Sequence, residues 1–247
     1  MSEKIEAGRA RNKNGKTHSC TFSIIIPVLH EADIINAALD ALLLLQTDES
    51  FEIIVVDGNL CHDTIQAITQ KNVTVLCSEQ GRARQMNTGA TAAVGDILVF
   101  LHADTTLPRH ALQSIRKALQ NKRYVGGAFH LRINSQKRAI KLLGQMISFR
   151  SRLSRVPFGD QAIFLRRDYF KKIGGYKDIV LMEDLELMRR IKKRGEKICL
   201  ITDYVITSPR RWEIEGILRC TVRNSTLRLL YFLGVPPSTL TKFYPHS

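Results

Sequence analysis

The sequence predicts an α/β protein with a mostly parallel sheet flanked by helices. In the first half of the chain, short apolar segments of strand length alternate with longer segments whose apolar residues repeat at helical spacing. Segments that alternate in this way fold as parallel strands joined by right-handed helical crossovers. The chain has 247 residues, 44% of them hydrophobic, which is enough for one large domain with its own core.

Four strands, each followed by a helix, are predicted in the first 119 residues. The strands are runs rich in Ile and Val without polar alternation, which is typical of strands covered on both faces. The helices show apolar residues three or four positions apart, and Pro108 stands where the fourth helix begins. The predicted strands are residues 22–28, 52–56, 73–77 and 97–101, and the predicted helices are residues 32–45, 63–70, 82–94 and 108–119.

The second half of the chain is less regular and strongly basic. Residues 109–247 contain 29 basic and 10 acidic residues, whereas residues 1–108 contain 8 and 13. Such an imbalance predicts an anionic partner, namely a membrane surface, phosphates or nucleic acid, with ordinary solvated helix faces as the alternative. Strands are predicted at residues 126–133 and 159–166, a helix at 184–194, and basic amphipathic segments at 136–156 and 213–233.

Several classes of protein are disfavoured by what the sequence lacks. The five cysteines are scattered without paired spacing, which fits a reducing compartment and argues against a disulfide scaffold or structural zinc. There is no apolar run of the roughly 20 residues that span a bilayer, no secretory signal and no glycine-rich nucleotide motif. We expect a disordered tail at residues 1–20, one domain at 21–212 and a helical basic extension at 213–247.

Polar residues follow the predicted strands at one edge of the sheet, where open α/β sheets bind their ligands. Asp57 ends the second strand and either accepts hydrogen bonds from a base or ribose or forms a turn before Gly58. His102 and Asp104 follow the fourth strand and are candidate ligands of a divalent cation that also contacts a diphosphate, although Asp104 could equally be a turn residue.

The segment from Gly81 to Asn87 opens the third helix with two arginines. A helix N-terminus that carries Arg82 and Arg84 is a candidate anion site. The alternative is a solvated basic first turn, because arginine opposes the helix dipole there.

Three further segments have both a structural and a functional interpretation. Glu183 and Asp184 begin a helix, and from spacing alone Asp184 is better explained as an N-cap than as a general base. The segment 159–161 is a turn or a substrate loop. Arg211 and Trp212 form a surface patch or a lid that stacks on a ligand.

Several short segments of the sequence, taken in order, resemble glycosyltransferase family 2, the inverting nucleotide-sugar transferases with the GT-A fold. The resemblance runs from about Phe22 to the C-terminus and is closest to a small, uncharacterised bacterial-type subgroup. It is carried by SIIIP (23–27), VVDG (55–58), GRARQMN (81–87), VFLHAD (99–104), GGAF (126–129), FGDQ (158–161), GGY (174–176), MEDLEL (182–187) and SPRRW (208–212).

The resemblance implies a role for each site residue. Asp104 with His102 would bind Mg²⁺ or Mn²⁺, and Asp184 would be the catalytic base. His102 replaces the first Asp of the family's D-x-D motif, and Ser208 replaces the Gln of the motif Q-x-x-R-W, which argues against processive synthesis. The nucleotide would contact Pro27, Glu31, Asp57, Gly58, Gly81, Arg82, Arg84 and Asn87, and the acceptor side would contain Gly159, Asp160, Gln161, Glu183, Arg211 and Trp212.

We therefore expect a metal-dependent inverting glycosyltransferase that uses a nucleoside-diphosphate sugar and an acceptor hydroxyl, with a lipid-linked acceptor as one option. A nucleotidyltransferase of related fold and a non-catalytic basic binding module are the alternatives. No nucleic-acid partner is expected, because the basic segments carry no recognition motif. We expect a cytoplasmic protein, with peripheral attachment to an anionic inner membrane face as an option.

Overall fold

A mixed sheet runs through the protein, and helices cover both of its faces. The computed structural model describes residues 21–244, so the tail predicted at residues 1–20 lies outside the described residues. Across these residues the strand order is β3-β2-β1-β4-β7-β6-β8-β5. The strands are β1 (Phe22–Val28), β2 (Phe51–Asp57), β3 (Thr74–Cys77), β4 (Ile97–Phe100), β5 (Thr105–Thr106), β6 (Tyr124–Ile133), β7 (Phe164–Arg166) and β8 (Lys197–Thr207).

The helices form two layers, one on each side of the sheet. Apolar residues alternate along β1, so that Ile24 and Ile26 enter one buried cluster and Ile25 enters the other. The helices are α1 (Ala32–Leu43), α2 (Asp63–Ala67), α3 (Arg82–Ala92), α4 (Ala111–Leu119), α5 (Arg138–Ser154), α6 (Arg167–Lys172), α7 (Glu183–Lys193), α8 (Arg210–Glu215), α9 (Ile217–Phe232) and α10 (Pro237–Leu240). Helices α1 and α4 bury an apolar stripe against the first of these clusters, and α3 and α7 against the second.

The predicted α/β class with a mostly parallel sheet is confirmed. β1 pairs in parallel with β2 and β4, and β2 with β3. The chain therefore leaves β1 in one direction and returns on its other side, which creates a crevice between the carboxyl ends of β1 and β4. The antiparallel pairs of β7 with β4 and β6 lie in the second half of the sheet.

The segment predicted as a strand at residues 159–166 divides into two parts. Gly159–Gln161 forms a 3₁₀ turn, and only Phe164–Arg166 is a strand. Ala162 lies between them with a φ of 48°, a left-handed conformation that ends the extended chain.

Strand β8 was not predicted from the sequence. Its apolar beginning is followed by Thr202, Asp203 and Tyr204, which do not continue the pattern. The structure accommodates the extra residues as a register shift against β6, where Phe129 pairs with Ile201 and His130 with Tyr204.

The predicted amphipathic segment at residues 213–233 is two helices rather than one. Helix α8 already begins at Arg210, and Gly216, with a φ of 86°, separates it from α9. Trp212 and Ile217 pack against the buried cluster that contains Ile24 and Ile26, so this part of the chain lies on the domain.

Helix α3 approaches the sheet closely at Gly89, and we expect Gly89→Ala to destabilise the protein. A Cβ atom there would lie 2.5 Å from Cγ2 of buried Ile25. Overpacking of this kind costs about 1–3 kcal/mol of unfolding free energy. The matched control is Gly144→Ala in α5, where the nearest atom would be 3.4 Å away. Urea unfolding should show this control unchanged or stabilised by up to about 1 kcal/mol, and equal effects of both substitutions would contradict the prediction.

Candidate functional site

The crevice at the carboxyl ends of β1, β2 and β4 gathers most of the candidate residues. Pro27 lies in register with Val56, one residue before the end of each strand. Asp57 is the last residue of β2, and His102 and Asp104 follow β4 directly. Neighbouring parallel strands thus bring these side chains to one edge, as the sequence predicted.

Asp57 has the contact of a turn residue, and its role in ligand binding stays a prediction. Its side chain is fully buried, and Oδ1 accepts a hydrogen bond of 2.8 Å from the Asn59 amide, which makes it a turn residue. Oδ2 is also buried but has no hydrogen-bond partner among the described residues. A buried carboxylate oxygen without a donor is costly, so this atom is available to a ligand's N–H or O–H group.

Gly58 allows the Gln85 side chain to pack closely against the end of β2. A Cβ atom at this position would lie 2.9 Å from Cδ of Gln85. The Gln85 amide nitrogen donates to the carbonyl oxygens of Val28 at 2.6 Å and Val56 at 2.9 Å. Gln85, which the sequence did not single out, therefore holds the ends of β1 and β2 together.

Glu31 connects this edge to the C-terminal segment. Arg210 Nη2 lies 3.3 Å from both carboxylate oxygens of Glu31. Burial raises the pKa of Glu31, Arg210 opposes that shift, and the Asp104 carboxylate adds to it. The sequence offered no signal for this pair, because the two residues are 179 positions apart.

Arg82 faces the acidic residues of the site. Desolvation lowers its pKa, but Glu183, Asp184 and Asp104 more than offset this effect, so the pKa is raised above its ordinary value. Gly81 precedes it with a φ of 138°, which favours glycine. The structure thus brings Arg82 together with three acidic candidates.

Arg84 and Asn87 are engaged elsewhere. Arg84 is held by Asp178, with Nε–O distances of 2.9 and 3.0 Å, and by Glu79 at 2.5 Å. The Asn87 side chain exchanges two hydrogen bonds with the backbone of Tyr176, at 2.8 and 2.9 Å. Their role in nucleotide binding stays a prediction, since these contacts give both side chains structural partners.

His102 and Asp104 form a mixed nitrogen and oxygen donor pair. Burial, together with Arg82 and Arg211, lowers the pKa of His102 to about 3, so its imidazole is neutral at physiological pH and able to ligate a cation. Asp104 Oδ1 accepts a hydrogen bond of 3.2 Å from the Thr105 hydroxyl. Within residues 21–244, no group of three or more His, Cys, Asp or Glu side chains forms a candidate metal site.

Asp184 is fixed beside His102 by the 3₁₀ turn. Its Oδ2 accepts a hydrogen bond of 2.7 Å from the Gly159 amide, and its Oδ1 accepts one of 2.7 Å from the Leu185 amide. A Cβ atom at Gly159 would lie 3.2 Å from His102 Nε2 and 3.5 Å from Asp184 Oδ2. The N-cap position of α7 is Met182, so Asp184 lies inside the first turn and is not the cap.

Two further carboxylates share this region with Asp184. Burial, Asp184 and Asp104 raise the pKa of Asp160 to about 7. Asp160 Oδ1 is buried without a hydrogen-bond partner among the described residues. Burial and Asp184 also raise the pKa of Glu183. The site therefore concentrates negative charge that a cation would relieve, and its donor set fits a cation that shares its ligands with substrate phosphates.

Gln161 is fully buried and holds the turn in place. Its oxygen accepts hydrogen bonds from the Ser151 hydroxyl at 2.6 Å and from the Phe158 amide at 3.0 Å. Its amide nitrogen donates to the Phe129 carbonyl at 2.8 Å. These contacts position the turn and keep Gln161 away from solvent.

The C-terminal segment reaches the site through Arg211. Arg211 donates a hydrogen bond of 2.5 Å to the hydroxyl of Tyr244, and its charge acts on His102 and Asp160. Trp212 packs against the core beside it, which is a structural contact. Tyr244 was missed by the sequence analysis, because no local pattern connects it to residues in the sheet.

Comparison with protein families identifies the family of this chain. The model of "Glycosyl transferase family 2" matches residues 23–174, which is more than half of the chain. The chain belongs to glycosyl transferase family 2. The matched region contains the strands that carry Asp57, His102 and Asp104 and the turn that holds Asp160.

Two curated glycosyltransferases are similar to parts of this family 2 chain. An uncharacterised glycosyltransferase of Nostoc sp. is 31% identical over 119 residues, which are 45% of this chain and 37% of the relative. The probable glycosyltransferase YdaM of Bacillus subtilis is 25% identical over 223 residues, 78% of this chain and 52% of YdaM. The chain thus spans only about a third to a half of the length of these relatives.

Solved structures share the family 2 fold. A mannosyltransferase from Pyrobaculum calidifontis, solved with GDP-Man and Mn²⁺, gives a TM-score of 0.58 at 21% identity over 75% of this chain and 56% of its own. TarS of S. aureus gives 0.57 at 15% identity over 76% and 36%. These likenesses confirm the GT-A fold. No helix within residues 21–244 of this family 2 chain is both long and apolar enough to cross a bilayer.

The raised pKa of Asp160 predicts a pH-dependent gain in stability for Asp160→Asn. The unfolded chain releases this proton near the ordinary pKa of 3.8, whereas the folded protein releases it at about 7. Folding is therefore penalised as pH rises from 4 to 7, and the penalty is complete above 7. We expect Asp160→Asn to raise the melting temperature by at least about 2 °C at pH 8 and by much less at pH 4.

The control for this experiment is Asp48→Asn, which removes an exposed carboxylate from the loop between α1 and β2. Its melting temperature should follow the wild type across the same pH range. A pH-independent effect of Asp160→Asn would show that the Asp160 carboxylate is not under electrostatic strain.

Proposed function

We propose that this family 2 protein transfers a sugar from a nucleoside diphosphate to an acceptor hydroxyl, with a divalent cation and with inversion at the anomeric carbon. One observation carries the proposal: the Gly159 amide fixes the Asp184 carboxylate next to His102, with a Cβ at Gly159 only 3.2 and 3.5 Å from the two side chains. A candidate base and a candidate metal ligand thus flank a single small residue.

The donor nucleotide would bind at the ends of β1 and β2. The unpaired Asp57 Oδ2 supplies an acceptor for the base or ribose, and Glu31 and Pro27 lie at the same edge. Arg82, which faces the acidic groups, would balance charge on the diphosphate. The P. calidifontis mannosyltransferase was solved with GDP-Man and Mn²⁺, which supports GDP as the first nucleotide to test.

Asp104 and the neutral imidazole of His102 would hold Mn²⁺ or Mg²⁺, which when bound supplies positive charge to the leaving diphosphate. The cluster of Asp104, Asp160 and Asp184 supports this assignment, because a bound cation would reduce the repulsion among these carboxylates.

Asp184 would accept the proton of the acceptor hydroxyl as that oxygen attacks the anomeric carbon. Attack from the face opposite the diphosphate forms one bond while the other breaks, which inverts the anomeric configuration. Hydrogen bonds from the Gly159 and Leu185 amides fix the orientation of the carboxylate before the substrate arrives. Gly159, Asp160, Glu183, Arg211 and Trp212 would border the acceptor, with Gln161 supporting them from beneath.

The variant Asp184→Asn tests the role of Asp184 in catalysis while keeping the fold. The amide keeps the size of the carboxylate but cannot accept the acceptor's proton, so we expect turnover to fall by at least about a hundredfold. Donor binding should persist, and the melting temperature should stay close to that of the wild type. Sugar transfer can be followed as release of the nucleoside diphosphate.

The matched control is Asp168→Asn in the first turn of α6. Asp168 Oδ1 accepts a hydrogen bond from the next amide, at 2.6 Å, as Asp184 Oδ1 does at 2.7 Å. Asp168→Asn should therefore reproduce any local structural effect without loss of turnover. Wild-type turnover in Asp184→Asn would eliminate Asp184 as the base and make Glu183 or Asp160 the next candidate.

Removal of the metal should weaken donor binding. We expect calorimetry to show at least about tenfold tighter GDP or UDP binding with Mn²⁺ than with EDTA, because the cation neutralises the diphosphate. Asp104→Asn should abolish most of that gain, and Asp48→Asn should preserve it. Equal affinity with Mn²⁺ and EDTA would refute the metal role.

We further propose that the protein is cytoplasmic and binds an anionic membrane face through α5 and α9. One stripe of α5 packs on the domain, with Ile140 buried, but the opposite stripe is apolar and exposed. Arginines and lysines border these apolar residues, as expected at an anionic interface. The exposed apolar residues are Leu142, Met146, Phe149 and Leu153 on α5 and Leu218, Val222, Leu229, Phe232 and Leu233 on α9 and at its end.

Flotation with vesicles containing phosphatidylglycerol tests this surface. We expect binding at low salt that weakens as salt screens the charges. Leu153→Glu should reduce binding, because it places an acid on the apolar stripe. The control Val94→Glu changes another exposed apolar residue, which lies outside α5 and α9, and should have no effect. Absence of binding at low salt would disprove the membrane surface.

A further inference from the structure

Two arginines from different helices lie against the same aromatic ring. Arg150 belongs to α5, and its guanidinium carbon is 3.6 Å from the ring centre of Phe158. Arg228 belongs to α9 and lies 4.9 Å from the same ring. Phe158 immediately precedes the turn that fixes Asp184, so the pair stands at the entrance to the site from the C-terminal helices.

Within residues 21–244, neither arginine forms an ion pair. Arg150 Nη2 donates to the Ser151 hydroxyl at 2.9 Å, while its Nε is buried without a partner. Arg228 donates to the Asn224 carbonyl at 3.0 Å and to the Ser225 hydroxyl at 2.9 Å.

Two other half-buried arginines are paired with carboxylates: Arg190 in α7 binds Glu186 at 2.8 Å, and Arg223 in α9 binds Glu215. Arg166 and Arg211 lack a carboxylate partner within the described residues, as Arg150 and Arg228 do. What distinguishes Arg150 and Arg228 is that two such arginines meet at one ring.

This arrangement is unfavourable in the free protein. Desolvation and the charge of Arg228 lower the pKa of Arg150 to about 10, and desolvation lowers the pKa of Arg228. Asp160 and Asp184 offset part of this effect, but neither arginine has a carboxylate in direct contact within the described residues. Like charges that are held together in this way cost stability, and such costs are concentrated at binding sites. A bound anion would remove the cost.

The position of the pair indicates which substrate would carry that anion. The charge of Asp184 acts on Arg150, Arg228 and Arg82 alike. Asp160 in the 3₁₀ turn acts on the arginine pair, whereas Asp104 and Glu183 act on Arg82. The arginine pair therefore adjoins the proposed base from the side of α5 and α9. Arg82 would instead contact the donor diphosphate.

We propose that Arg150 and Arg228 bind a phosphate monoester carried by the acceptor, close to the hydroxyl that Asp184 deprotonates. Two guanidinium groups can offer parallel N–H donors to phosphate oxygens, and the Phe158 ring holds their planes in place. The inference rests on the proposed function, because it assigns the ligand to the acceptor side. The phosphate belongs either to a soluble molecule or to a lipid headgroup, and the exposed apolar stripe of α5 makes the second source testable on vesicles.

Binding of glycerol 3-phosphate to the full chain provides the test, with glycerol as the uncharged control. Calorimetry is performed with GDP and Mn²⁺ present in excess, so that diphosphate-binding groups are occupied. Arg150→Gln and Arg228→Gln should each weaken glycerol 3-phosphate binding by at least about tenfold. Arg152→Gln in α5 and Arg219→Gln in α9 remove exposed charges from the same helices and should leave it unchanged.

A vesicle arm distinguishes the two sources. Flotation compares phosphatidic acid, whose headgroup is a phosphate monoester, with phosphatidylglycerol at equal charge. Loss of glycerol 3-phosphate binding in the two variants supports a soluble phosphate. A selective loss of binding to phosphatidic acid supports a lipid-borne phosphate. If neither ligand depends on Arg150 and Arg228, or if GDP displaces glycerol 3-phosphate, the proposal is overturned.

Two measurements exclude trivial explanations. Arg150→Lys and Arg228→Lys keep the positive charge but lose the planar array of N–H donors, so they should bind glycerol 3-phosphate more weakly than the wild type. They provide the test if a glutamine variant does not fold. GDP affinity in each variant reports separately on the donor site. Arginine-dependent phosphate binding without any sugar transfer would refute the proposed function but support the phosphate site. Sugar transfer without arginine-dependent phosphate binding would support the proposed function but refute the phosphate site.

Discussion

Four carboxylates held close together at one edge of the sheet impose the main electrostatic constraint on this protein. Glu183 and Asp184 begin α7, Asp160 lies in the 3₁₀ turn, and Asp104 follows β4. Burial, together with the charge of Asp184, raises the pKa of Asp160 and Glu183. The charges of Arg82, Arg150, Arg211 and Arg228 act on members of this cluster. Acidic groups with perturbed pKa values are concentrated at functional sites.

The C-terminal segment supplies much of the compensating charge. Arg210 pairs with Glu31, Arg211 acts on His102 and Asp160, and Arg228 reaches Phe158. The segment after the sheet is therefore part of the site as well as a candidate membrane surface. Its two roles are compatible, because the apolar stripe of α9 is exposed while Arg228 of the same helix lies against Phe158 and interacts with Asp160 and Asp184.

The sequence was informative where the chemistry is local. The strand β1 and the helix α3 are recognised from runs and periods of apolar residues, and their bounds differ from the prediction by two residues at most. The order of strands and helices also placed Asp57 and Asp104 at the same edge, since parallel strands end together. Strand β8 was missed because its register shift interrupts the apolar pattern at Thr202 and Asp203.

Sequence alone thus determined the fold class, the edge that carries the site and the family resemblance, because these follow from local periodicity and contiguous strings. Only the tertiary structure decided which charges meet. It turned Arg82 toward the acids while Arg84 pairs with Asp178, and it moved the cap of α7 to Met182, leaving Asp184 to bind the Gly159 amide. Partners such as Arg150 and Arg228 come from helices far apart in the chain, and no local pattern encodes their meeting at one ring.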